Sequence, residues 1–200
     1  MKRISAIILI LALCVCFFAS CSDEKALKVT GDRLVDKESN VNYVMCSPSL
    51  QAVSIKGEIT SYNDTVLYEV EGLPTDQYLS ENYDGLNYLY RADSVEEPTL
   101  ETFGAMSALV CIKGDTTLVN SVISDKNTVD QLAALLETGE QTVLPAYTDS
   151  SFDIKLVSES CPYLYYRISA IRSISGEVVL YDKGTRRCVS AGKLLDEYIK

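Results

Sequence analysis

Short stretches of alternating or β-branched residues, separated by turn-forming dipeptides, run through most of this 200-residue chain and restrict it to a sheet-rich fold. Ala52 to Tyr62 and Thr65 to Glu71 read as a hairpin across Asn63-Asp64. In its second strand Val66, Tyr68 and Val70 share one face, and Leu67, Glu69 and Glu71 the other. Leu73 to Tyr83 contains Pro74, Asp76 and Asn82 and reads as a loop with a helical turn; Leu86 to Ala92 reads as a strand. A second hairpin joins Ser107–Lys113 to Thr117–Ile123 across Gly114-Asp115. The chain then closes on a meander: Phe152–Ser158, Tyr163–Ile174, Glu177–Asp182 and Thr185–Val189, with turns at Ser175-Gly176 and Lys183-Gly184.

One segment carries a clear helical period. Val129, Leu132, Ala133 and Leu136 stand at i, i+3, i+4 and i+7, with Asn127 as the N-cap and Gly139 as the stop. Lys193 to Ile199 reads as a short closing helix. These elements predict an α+β fold: a mainly antiparallel sheet of hairpins and a C-terminal meander, one amphipathic helix packed on it, and a short C-terminal helix.

The N-terminus has another character. Lys2 and Arg3 precede an apolar run from Ile7 to Phe18, followed by Ala19, Ser20 and Cys21. A positive head, an apolar stretch and small residues before a cut are the features of an export signal. The apolar stretch from Ile4 to Ala19 is shorter than the roughly 20 residues a membrane span requires. The segment Phe18-Ala19-Ser20-Cys21 resembles the lipobox of bacterial lipoproteins, with Phe18 in place of the favoured aliphatic residue. In its general plan the whole chain resembles small bacterial lipoproteins. The resemblance implies that residues 1–20 are removed as a signal peptide, that Cys21 carries acyl chains such as palmitate, and that the mature protein is held on a cell membrane facing the extracytoplasmic side. Residues 21–40, charged and free of aromatics, then read as a flexible tether. Residues 41–200 read as the extracytoplasmic domain, with a possible sub-boundary near 94–106.

Charge and composition exclude more than they assign. Without Lys2 and Arg3, 16 basic residues face 28 acidic ones, a net charge of −12, which argues against nucleic acid as a partner. The chain has no histidine, so Ser-His and Cys-His nucleophiles and histidine metal sites are ruled out. Ser190-Ala191-Gly192-Lys193 has the S-x-x-K spacing of Ser-Lys hydrolases, but it comes last in the chain, out of their motif order. Asp125-Lys126-Asn127 lacks the glycine and terminal glutamate of a calcium loop. No cofactor and no metal are therefore expected.

Four cysteines follow Cys21: Cys46, Cys111, Cys161 and Cys188, none in a C-x-x-C pair. With Lys183-Gly184 as a two-residue turn, Cys188 falls opposite Val179 and Val179 opposite Ile171. That leaves Cys161 two strands away, about 9.6 Å, beyond the reach of a disulfide. Cys46–Cys111 remains the possible bridge. Tyr163, Tyr165 and Arg167 alternate onto one strand face, a residue combination favoured at interfaces, and form the candidate binding surface. The function expected is that of a non-catalytic, lipid-anchored binding or envelope-accessory protein whose partner is a protein, peptide or glycan. The alternative is a histidine-independent envelope hydrolase using paired carboxylates, of which the sequence offers Glu69 with Glu71, Glu96 with Glu97, and Asp196 with Glu197.

Overall fold

The computed structural model of the chain describes residues 27–113 and 117–199. Within them the chain forms β1 (Leu27–Thr30), β2 (Arg33–Asp36), β3 (Val41–Met45), β4 (Leu50–Ala52), β5 (Ile55–Tyr62), β6 (Thr65–Val70), β7 (Tyr78–Tyr83) and β8 (Leu86–Ala92). A one-turn helix α1 (Leu100–Phe103) follows, then β9 (Ala105–Lys113), β10 (Thr117–Ile123), the longer helix α2 (Lys126–Thr138), β11 (Thr148–Ser158), β12 (Leu164–Ser173), β13 (Val178–Asp182) and β14 (Arg187–Ser190). The pairings are antiparallel throughout, so the fold is α+β and mainly β, as the turn pattern predicts.

The sheet is branched. One arm runs β5-β6-β7-β8 and continues through β3 and β2 to β1, which also touches β5 and so curls the arm towards a closed barrel. The other arm runs β10-β9-β11-β12, with β13 and β14 added beyond β12. The three-residue strand β4 joins them: Gln51 pairs with Tyr88 of β8 on one side and with Tyr165 of β12 on the other.

Two cores result from the two faces. The main one gathers Leu50 of β4 and Val70 and Leu89 of the first arm with Val110, Ile154, Leu156 and Ile168 of the second. Val129, Leu132 and Leu136 cover it from α2, as the helical period requires. Because this core draws on both sides of residues 94–106, that segment links two arms of one packed unit. The second core, Leu27, Leu34, Tyr43, Leu67, Leu79 and Tyr90, fills the curled arm from the opposite face. Leu67 and Val70 accordingly go to different cores.

Several elements differ from expectation. Residues 27–36 fall in the expected tether but form the β1–β2 hairpin, because Leu27 and Leu34 are buried in the second core while Lys28, Asp32 and Arg33 face outwards. Tyr78–Tyr83, read as part of a loop, is β7. It turns into β8 through Asp84-Gly85, whose positive φ values of 52° and 73° suit the tight turn of a hairpin. The N-cap of α2 is Asp125 rather than Asn127: its carboxylate accepts the Thr128 N–H at 3.1 Å and the Thr128 hydroxyl at 2.7 Å. Lys193–Ile199 is a run of turns with i to i+3 bonds and one i to i+4 bond, from the Ile199 N–H to the Leu195 carbonyl, docked by Leu195 and Ile199, in place of the short closing helix. The turn after β13 is also longer than two residues. Asp182 pairs with Arg187, so Cys188 lies opposite Tyr181, while Val179 opposite Ile171 is as expected.

Candidate functional site

The expected surface residues separate once the strand is built. Tyr163 sits in the turn before β12, 41% exposed, with its ring lying over Gly72 so closely that a Cβ there would run into it. Tyr165 and Arg167 follow on the sheet face opposite the main core, and both are engaged. The Lys155 ammonium stands 5.3 Å from the centre of the Tyr165 ring, and Arg167 Nη2 donates to Asp153 Oδ1 at 2.8 Å in a largely buried ion pair. Gln51 Nε2 and Arg167 Nε on this face are buried without a hydrogen-bond partner. Burial, and secondarily the nearby Cys111, pushes the Tyr165 hydroxyl up.

The four cysteines of the described residues are free. A Cys46–Cys111 bridge is ruled out by placement: Cys46 lies in the main core beside β8, whereas Cys111 lies on β9, opposite Asp153 and so on the other face of the sheet. Burial pushes all four thiols up, Cys46 to about 12 with Glu97 adding to the effect and Arg91 opposing it. Such thiols are poor nucleophiles. Cys21 lies outside the described residues.

A different place has the shape of a site. A cleft of about 720 Å³ opens between the Glu97–Glu101 segment, the C-terminal turn of α2 at Leu136 and Glu137, and the β13–β14 turn at Gly184, Thr185 and Arg187. Its size falls in the usual range for small-ligand pockets. α1 forms one wall because Thr99 and Thr102 cap it reciprocally and Phe103 anchors it in the core, with its ring centre 5.9 Å from that of Tyr166.

The floor is a clasp around Asp182. Oδ1 accepts the Ser49 hydroxyl and the Gly184 N–H at 2.9 Å, and Oδ2 accepts the Tyr166 hydroxyl at 2.8 Å and the Thr185 hydroxyl at 2.9 Å. The clasp ties the β13–β14 turn to β4 and β12. A Cβ at Gly184 would meet the Ser47 hydroxyl, which would have to move aside. Burial, the Asp182 charge and the bond to it push the Tyr166 hydroxyl strongly up, so it remains a donor. Glu97 is likewise engaged, accepting the Ser47 N–H at 2.9 Å and facing Arg91 Nε at 3.4 Å. Arg187 reaches across to the Gly139 carbonyl at 2.8 Å and so caps the end of α2.

Two carboxylates of this cleft, Glu97 and Asp182, are therefore held by protein donors, while Glu101 and Glu137 stand at its exposed rim. Among the described residues no three Cys, Asp or Glu side chains converge as metal ligands. The expected pairs do not meet here: Glu69 is on β6, Asp196 and Glu197 are in the closing turns, and of Glu96 and Glu97 only Glu97 lines the cleft. The sequence signal for the clasp is an aspartate at the head of Asp182-Lys183-Gly184-Thr185, a turn-forming pattern.

No family model, no curated protein and no solved structure matches this chain.

Proposed function

We propose that this chain is a non-catalytic, lipid-anchored binding protein, held through Cys21 on the extracytoplasmic side of a membrane. Its ligand, a protein segment, peptide or glycan, enters the cleft beside α1. The supporting observation is the state of the cleft's carboxylates. A hydrolase of the paired-carboxylate kind needs one group to give a proton and the other to act as base or nucleophile. Asp182 is 1% exposed and accepts four hydrogen bonds, so its oxygens have no room for a substrate atom. What remains is a shaped, mixed polar and apolar recess, which suits holding a ligand. The Tyr163–Tyr165–Arg167 surface is the weaker place for it, because two of its three side chains are already paired.

Two measurements test the two halves of the reading. The anchor is tested by the intact mass of the chain extracted from membranes: residues 1–20 should be missing and acyl mass present on Cys21, and a chain retaining Met1 with bare Cys21 overturns it. The cleft is tested by screening the full chain on peptide and glycan arrays beside a Glu101→Trp variant, whose indole fills the mouth. A ligand bound by the parent and weakened at least ~tenfold in the variant supports the reading. Ligands held equally by both, or turnover of a bound glycan or peptide, overturn it.

A further inference from the structure

Strand edges are where a sheet invites other chains, and among the described residues every free edge but one is covered. β1 and β5, each paired on one side, lie against each other. β14 is bridged on its free side by Gln141 opposite Val189 and by the Thr142 N–H to the Cys188 carbonyl at 2.8 Å. β10 differs. It pairs with β9 alone, and its outward backbone groups bond to none of the described residues. The strand Thr117-Leu118-Val119-Asn120-Ser121-Val122-Ile123 contains no charge and no proline, two of the devices that usually keep an edge from pairing. Leu118, Val119 and Val122 are 63%, 56% and 50% exposed. A bulge at Asn120 is its one irregularity, and there the Asn120 amide and the Ser121 hydroxyl both donate to the Tyr198 carbonyl, at 2.9 and 2.8 Å, leaving the backbone groups on either side open.

A row of open N–H and C=O groups is matched by another extended backbone. The complement has to be a strand free on one side, uncharged and apolar, and β10 is itself such a strand. In a chain of net charge −10 it is also a stretch where two copies meet without like charges set opposite each other. We propose that β10 is the seam of a symmetric homodimer, in which two copies pair antiparallel through Thr117–Ile123 and continue one sheet across the two-fold axis. Val119 and Val122 lie on the face that also carries Cys111 and Leu109, so pairing covers them from both copies. The cleft lies at the β13–β14 end of the strand order and stays open, so this inference stands independently of the ligand reading.

Native mass spectrometry and sedimentation of the full chain in detergent test the seam. The expected result is a monomer–dimer equilibrium that tightens as salt rises from about 0.05 to about 0.5 M, since salt screens the repulsion between two acidic copies. The double variant V119K/V122K puts four ammonium groups at the seam and should weaken the dimer at least ~tenfold. Both side chains are exposed, so its circular dichroism and melting curve should match the parent's; should they not, V119K alone carries the same expectation. Ile174→Lys, at a 73% exposed position outside β10, should leave the dimer intact. A chain that stays monomeric at about 100 μM, or a folded β10 variant that dimerises as tightly as the parent, overturns the proposal.

Discussion

Four donors converge on the Asp182 carboxylate, and Asp182→Asn measures how far the cleft floor depends on them. Asparagine keeps the shape but turns one acceptor into a donor, leaving a buried N–H facing other donors. The expected loss is about 2–4 kcal/mol in urea unfolding, well above that of a surface substitution. A second residue-scale consequence concerns alkaline pH. Cys46, raised from its ordinary 9.0 to about 12, and Tyr43, raised from 10.0 to about 12, are both held protonated by burial. A folded-state value above the unfolded one gives stability that is complete below the unfolded value and lost as pH climbs through the folded one. The contribution of these two groups should therefore be flat below about pH 9 and be lost between about 9 and 12, with Cys46 supplying on the order of 4 kcal/mol of the fall. Denaturation midpoints of parent and Cys46→Ala across that range check it, the variant falling less steeply; equal slopes would remove Cys46 as the cause.

At the scale of elements, the two cores predict separable damage. Leu34→Ala should cost about 2–4 kcal/mol and raise hydrogen exchange in β1–β3. Leu132→Ala should cost a similar amount but loosen α2 and β9 instead. The reason these cores were unequally legible is physical. α2 and β12 show their periods because buried positions recur at the helical and strand spacing along them, while β13 is legible from its β-branched run between two turns. Thus the hairpin at Asn63-Asp64 and the order of the meander are readable from residue types alone. β7 was hidden because Tyr78, Leu79 and Ser80 are all buried, so no alternation survives. β1 and β2 were hidden because one leucine each is enough to hold them down amid charge. The Asp182 clasp could not be read, since Ser49 and Asp182 are 133 residues apart and meet only through the pairing of β4 with β12.

At the scale of the molecule, β4 explains an oddity of the sequence. Tyr88-Leu89-Tyr90-Arg91 and Leu164-Tyr165-Tyr166-Arg167 look alike yet have unrelated flanks. They are the segments of β8 and β12 that flank the same short strand, so each presents a tyrosine beside Gln51. Similar surroundings on both sides of β4 suit similar residues. The early start of β1 matters more for the proposed anchor. On the proposed anchor, the span from Cys21 to Leu27 is six peptide steps, a contour of about 20 Å at most. A fluorophore on Val29→Cys, which labels ahead of the less exposed, raised-pKa thiols, should transfer energy efficiently to a lipid dye; a separation above ~50 Å would refute the short stalk. A stalk of that length spans only two or three screening lengths at physiological ionic strength. A body of net charge −12 held there feels an anionic leaflet directly, so the headgroup charge of the host membrane becomes a control on which side of the protein is turned outwards and which ligands have clearance to arrive.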